Sequence, residues 1–191
     1  MTNAQVSWPR QAGPLLLRPP TSADLDEVLE WRNRPEVTRW LLRTTVEPDA
    51  FRRRWLSAVE DPRDHSVVAE LDGEIVGTGS LEVVDGIGQF DGDAWRDAEG
   101  LIGYLIAPDH AGNGYATEIL RGLLEIAFAE VGLRRITGAC FADNVASWRV
   151  MEKAGMRREQ HGVRDSWHAE HGWIDGYTYA ILAEDWTPSV G

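Results

Sequence analysis

One run of residues stands out for its chemistry: Leu105-Ile106-Ala107-Pro108-Asp109-His110-Ala111-Gly112-Asn113-Gly114-Tyr115-Ala116-Thr117-Glu118. An apolar strand ends there, and a glycine-containing loop opens a helix. Backbone N–H groups in the first turn of a helix have no partner within it and point outward, and the helix dipole adds partial positive charge. Together these bind phosphate without needing a basic side chain. Gly112 and Gly114 admit a close backbone approach, and Ala116 keeps the first turn thin. A plain strand–helix turn with no ligand has the same composition. The run is not a dinucleotide fingerprint, because a third glycine and a surrounding early βαβ unit are missing, and the Lys-Ser/Thr of a phosphate loop is absent as well.

Other reactive residues offer less. Cys140 is the single cysteine, cannot form an internal disulfide, and lies in an apolar run, so it reads as an inert core residue rather than a nucleophile. His161, His168 and His171 lack enough supporting Cys, Asp or Glu at zinc-site spacing, so no metal is expected. His110 sits beside the glycine loop and reads as part of its structure. With 19 basic and 31 acidic residues the net charge is −12, which argues against a nucleic-acid partner, since phosphate contacts want a basic surface. The acidic balance fits either a soluble surface or attraction for a cationic acceptor.

The elements that would position the loop follow from periodicity. Residues 1–13 read as a loose arm that Trp8 could pin to the body, and residues 14–187 as one domain. Leu15 to Arg18 suggests a short strand, ended by Pro19-Pro20. Thr21 or Ser22 then caps a helix carrying Leu25, Val28, Leu29 and Trp31, and Pro48 to Val59 is a second helix. Ser66–Leu71 and Glu74–Val84 are strands joined by an Asp72-Gly73 turn. Asp85–Ala98 reads as a long loop before the strand Leu101–Ala107. A helix over Tyr115–Glu130, a strand over Arg134–Phe141 and a helix over Asn144–Lys153 follow, the last stopped at Gly155. Met156–Gln160 and Tyr177–Leu182 close the chain as strands with a polar loop between them. This order fits a mixed sheet with helices on both faces. No apolar run approaches the roughly 20 residues of a membrane span and no apolar leader is visible, so a cytoplasmic protein with no membrane partner is expected.

Residues 108–118 resemble the acetyl-CoA pyrophosphate loop of the GNAT N-acetyltransferases, and more narrowly the RimJ/RimL-like branch. Three further stretches are similar in order and spacing: Trp31-Arg32-Asn33-Arg34-Pro35-Glu36-Val37, Asn144-Val145-Ala146-Ser147 through Glu152-Lys153-Ala154-Gly155-Met156, and Tyr179-Ala180-Ile181-Leu182 with Glu184-Asp185-Trp186. The likeness runs from about Leu15 to Trp186. It implies an α/β fold (α+β, mixed): a mostly antiparallel central sheet flanked by helices, with a V-shaped split between the fourth and fifth strands. It also implies acetyl transfer from acetyl-CoA to a primary amine, on a protein N-terminus or on a small cationic molecule, by a chain acting as monomer or homodimer.

The resemblance further implies site roles. Pantetheine would lie in the V like an added strand, bonded to backbone near Leu105, Ile106 and Ala107. The pyrophosphate would rest on Ala111, Gly112, Asn113, Gly114, Tyr115, Ala116 and Thr117. Asn144 would bond the pantetheine arm, cap its own helix, or do both. Lys153 or Arg149 would reach the CoA phosphates, or stand as solvated helix charges. The family often has Gln or Arg where Ala111 stands and a basic residue where Asn113 stands, so the backbone amides carry more of the binding here. Met151 occupies the position of a thiolate-protonating Tyr in many members, and a thioether cannot protonate. Ser147, one helical turn earlier on the same face, is the nearest substitute. The branch often has an acid where Leu101 stands. Glu99, two residues earlier, is the first candidate base and Glu82 the second. The acidic residues of Asp85–Glu99 could attract an ammonium acceptor, and Trp167 and Trp173 could shape its site or pack as core or rim. A non-catalytic CoA-binding regulator is the alternative, and a nucleotide-binding dehydrogenase a third class.

Overall fold

The computed structural model describes residues 6–89 and 91–188. Eight strands form one sheet: β1 (Arg10–Ala12), β2 (Leu15–Arg18), β3 (Val67–Leu71), β4 (Glu74–Val84), β5 (Glu99–Ile106), β6 (Arg135–Phe141), β7 (Arg157–His168) and β8 (Gly172–Leu182), in spatial order β1-β2-β3-β4-β5-β6-β8-β7. All neighbours are antiparallel except β5 and β6, which run parallel. The β3–β4 turn is Asp72-Gly73, both at positive φ (52° and 87°), the conformation a tight hairpin requires.

Helices cover both faces. On one side α1 (Leu25–Arg32), α2 (Pro35–Thr38) and α3 (Pro48–Glu60) set Val28 and Trp31 against Val68, Ile75 and Ala107, with Phe51 and Trp55 at the margin. On the other, α4 (Tyr115–Glu125) and α5 (Val145–Lys153) pack on the larger core. Ile119, Leu120, Leu123 and Leu124 of α4 are buried, each contributing about 1.5–3 kcal/mol. Arg18 in β2 holds Asp24 through two bonds (2.8 and 2.7 Å) and also reaches Glu70, while Asp24 accepts from Thr21 N at 2.6 Å, tying the start of α1 to the sheet.

Three expectations change. The arm is in part a strand: Arg10–Ala12 pairs with Leu15–Leu17, Trp8 packs against the core, and Arg10 bonds Glu125 and Glu130. That added strand moves the expected split to the gap between the fifth and sixth strands. The helix expected to Glu130 narrows to α4 and continues as a π-helical turn, Ile126–Val131. The polar loop expected between the last strands is instead a long hairpin. Register shifts at Arg158/Gln160 and Gly162/Ser166 blur its alternation, which hid its strand character. No helix among the described residues is long and apolar enough to cross a membrane.

Candidate active site

The sheet forks at its centre. β5 and β6 pair over three rungs only, Glu99–Arg135, Gly100–Ile136 and Leu101–Thr137. Beyond them β5 follows β4 as far as Gly77–Ile106, and β6 follows β8 as far as Phe141–Gly176. Alternate residues of a strand turn their backbone groups to opposite edges. Ala107 N donates to Val76 O at 3.0 Å, so Leu105 and Ala107 face β4 and Tyr104 and Ile106 face the gap. Of the three backbone sites expected for pantetheine, Ile106 is therefore presented to the fork and Tyr104 joins it. Ala107 is fully engaged, since its carbonyl also accepts from His110 N at 2.9 Å, and it serves to aim the loop.

β5 leads through a 3₁₀ turn, Pro108–His110, into α4. The loop's own hydrogen bonds end with Ala111 N to Pro108 O and resume with Thr117 N to Gly114 O. Among the described residues, the amides of residues 112–116 have no acceptor. Gly112 and Gly114 both stand at φ 83°, and a Cβ at either would meet nothing within 4 Å. Backbone conformation, rather than crowding, is what asks for glycine there. Asn113 donates to the His110 carbonyl (3.1 Å), and His110 Nε2 lies 3.1 Å from Glu74 at the start of β4, so both side chains brace the loop. Ala111 is exposed at its rim, and Thr117 is buried in the first turn of α4.

A neutral polar cluster lies at the fork on the α5 face. Tyr104 Oη donates to the Ser147 carbonyl at 2.8 Å and lies 3.1 Å from Ser147 Oγ. Burial drives the Tyr104 hydroxyl above its ordinary pKa, against the smaller opposite pull of Ser147. Burial likewise pushes the Cys140 thiol up to about 11, with Ser147 pulling it the other way. Both groups keep their protons near neutrality. Asn144 caps α5, its Oδ1 accepting from Ser147 N at 3.2 Å. Met151 is buried beside Gly138 in the core, one turn inward from Ser147.

Tyr104 is the residue sequence reasoning passed over. Its signal was present: Gly100, Ile102, Tyr104 and Ile106 share one strand face, and a tyrosine on an apolar face must find a partner for its hydroxyl.

The expected acids are placed differently. Glu99 lies on the β5–β6 rung farthest from the opening, where its carboxylate accepts from Arg134 at 2.5 Å and meets Arg135 at 3.6 Å. Arg135 also holds Glu159 (2.6 Å), and Arg157 joins Glu159 to Asp185. Glu99 is thus part of an ionic lattice that closes the fork. Glu82 is exposed and directly opposite Leu101, on the α1 face. Three acidic residues of the 85–98 loop are paired locally, since Arg63 bonds Asp85 and Asp97, and Arg96 bonds Asp93. Lys153 ends α5 about 13 Å of helix rise from Asn144. Its carbonyl accepts from Arg121, beside a groove of about 280 Å³ that also takes in Asp185 and Trp186. Arg149 lies over the Trp148 ring. Trp167 and Trp173 form an exposed edge-to-face pair rather than core.

The segment from Arg39 to Glu47 crosses between the two halves. Asn33 bonds both backbone groups of Val46, Arg32 donates to the Arg43 carbonyl, and His168 donates to the Arg39 carbonyl. Trp40 packs on Phe141 at the end of β6.

Residues 14–157 match the family described as "Acetyltransferase (GNAT) domain". The chain is 41% identical over 85 residues to the uncharacterized N-acetyltransferase YnaD of Bacillus subtilis; that stretch covers 44% of this chain and 49% of the relative, about half its length. It is 27% identical over 152 residues to aminoglycoside N(6')-acetyltransferase type 1 of Klebsiella pneumoniae, covering 75% and 74% of the two chains. The structure of Mycobacterium smegmatis RimJ in complex with CoA-disulfide superposes with a TM-score of 0.75 at 25% identity, covering 93% of this chain and 90% of that one. A forked sheet, a helix start with free amides where the fork opens, and a family match over most of the length agree: the chain belongs to the GNAT acetyltransferases, enzymes that take their acetyl group from acetyl-CoA.

Proposed function

We propose that this protein transfers an acetyl group from acetyl-CoA to a primary amine by direct attack. The observation that carries the reading is the alignment of the unbonded amides of residues 112–116 with the fork beyond Leu101. The pyrophosphate rests on those amides, Gly112 to Ala116, with Ala111 and Thr117 bordering it. Pantetheine lies along the gap-facing edge of β5, and Asn144 approaches it from the start of α5. A backbone N–H of Tyr104 or Ile106 polarises the thioester carbonyl.

The neutral amine attacks that carbonyl carbon, the C–S bond breaks, and the thiolate takes a proton. Ser147 Oγ–H gives that proton while its oxygen takes one back from solvent, and Tyr104 holds it in place. Glu82, directly or through water, takes the amine proton from the opposite face. Acid and base then flank the sheet, one on each side of the fork, and Glu99 keeps the fork closed below them. Lys153 stands too far along α5 to share the amides' phosphates, which leaves it the outer part of CoA.

The acceptor is the amine of a protein N-terminus or of a small cationic molecule. Among the relatives, one is named for an aminoglycoside acceptor and another, of Bacillus subtilis, as a "Putative ribosomal N-acetyltransferase". A panel of N-terminal peptides, polyamines and aminoglycosides, assayed with acetyl-CoA for released thiol and acetylated product mass, tests both activity and acceptor. Tight CoA binding with no turnover on any amine would leave a CoA-binding regulator instead.

A further inference from the structure

We propose that the tip of the β7–β8 hairpin binds a divalent transition-metal ion through His168, Glu170 and His171. One donor atom from each of the three lies within 4.8 Å of the others. His168 is only 3% exposed, and its Nε2 lies 2.8 Å from the Arg39 carbonyl. A carbonyl can only accept, so Nε2 carries the proton and Nδ1 carries the lone pair. Nδ1 is directed at the tip, where the Glu170 amide reaches it at 3.2 Å. The His171 ring stacks on His168, centroids 4.6 Å apart, and Trp40 covers both rings.

This is how a metal-binding imidazole is prepared. An outer carbonyl fixes the tautomer and ring orientation, and raises the basicity of the free nitrogen. The bond from the Glu170 amide is long and sits at an exposed turn, so an ion can replace it while water takes up the amide. Bonds of about 2.0–2.1 Å to a tetrahedral ion separate its ligands by about 3.3 Å. Against the 4.8 Å limit, the tip has to close by at most about 1.5 Å. Two imidazoles and a carboxylate suit zinc, cobalt or nickel, with water in the remaining position, rather than calcium or magnesium. His161 stands apart, bonded to Asp175 at 2.6 Å. The three ligands lie within four residues of sequence, and what the sequence does not show is the Arg39 carbonyl, 129 residues away, that fixes the His168 ring.

The test uses the full chain, stripped with a chelator and titrated with zinc against a chromophoric competitor. One equivalent should bind, and cobalt should give the intense visible absorption of a tetrahedral site. Glu170→Gln and His171→Ala, both at exposed positions, should each weaken zinc binding about tenfold or more, whereas His161→Ala should leave it unchanged. Absence of saturable zinc binding would overturn the proposal. So would binding that survives both tip substitutions, or that is lost in His161→Ala. No acetyl-CoA enters the measurement, so its result is independent of the acetyl-transfer reading.

Discussion

The two ends of the fork are built from opposite materials. At the closed end charged side chains do the holding: Arg134, Glu99, Arg135, Glu159, Arg157 and Asp185 form a chain of ion pairs across β5, β6 and β7. At the open end the groups are neutral: backbone amides of residues 112–116, the hydroxyls of Tyr104 and Ser147, and the Cys140 thiol. Charge fixes the strands where nothing must enter. Neutral donors stand where the proposed mechanism receives a polyanionic substrate and protonates a thiolate, and they pay no ion-pair desolvation in the free protein.

The largest expected effect is at the open end. Ser147→Ala should lower kcat by about 10²-fold or more with a smaller change in the apparent acetyl-CoA constant. Tyr104→Phe should give a lesser loss of the same kind. Retained turnover in Ser147→Ala would remove the hydroxyl from the proton route and leave positioning as the main contribution.

Gly114→Val should weaken CoA binding about 10- to 100-fold, as expected when one or two amide–phosphate bonds of about 1.5–3 kcal/mol are lost or weakened. The cause is conformational, because φ is 83° and the Cβ has open space around it. Unchanged affinity by calorimetry in a folded variant would move the phosphate site elsewhere.

The closed end should respond in stability rather than rate. Arg135, the principal cause, holds the Glu159 carboxyl below its ordinary pKa against a smaller cost of burial. A lowered folded-state pKa contributes stability that is present above the unfolded value, about 4.3, and is lost as pH falls through the folded one. The urea midpoint of wild type should therefore exceed that of Glu159→Gln by a constant amount near neutrality, and the gap should shrink as pH falls below about 4. Glu99→Gln should likewise cost stability and leave the pH profile of turnover in place. A displaced profile would bring the closed end into the chemistry.

Met151→Leu should do least. The side chain is buried in the core, and a volume-conserving change there costs under about 1.5 kcal/mol. Turnover should stay near wild type, and its collapse in a folded, CoA-binding variant would give Met151 a role the structure does not suggest.

The comparison also explains what could be read before any coordinates. The open end was legible where its chemistry is local: a strand, Gly112 and Gly114, then a helix, and Asn144 three residues before Ser147. It was illegible where partners are distant. Tyr104 meets Ser147 across 43 positions, and Arg134 meets Glu99 across 35. Glu99 looked available because strand alternation reports the face of a residue and nothing of the cations brought there by a neighbouring strand. Trp167 and Trp173 read as core or rim from their composition; they lie on β7, the outermost strand, and on β8 beside it, and both rings are exposed.

That margin has a consequence for solubility. A sheet ends in two rows of unpaired backbone groups, each a template for aggregation. Here β1 is only three residues long, too short to recruit a partner. β7 is twelve residues long but is twice interrupted in register, and it carries Arg157, Arg158 and Glu159 at its start. Bulges and charge make it a poor surface for edge-to-edge pairing. The outer borders are guarded against polymerisation, while the interior gap between β5 and β6 is left without such defences.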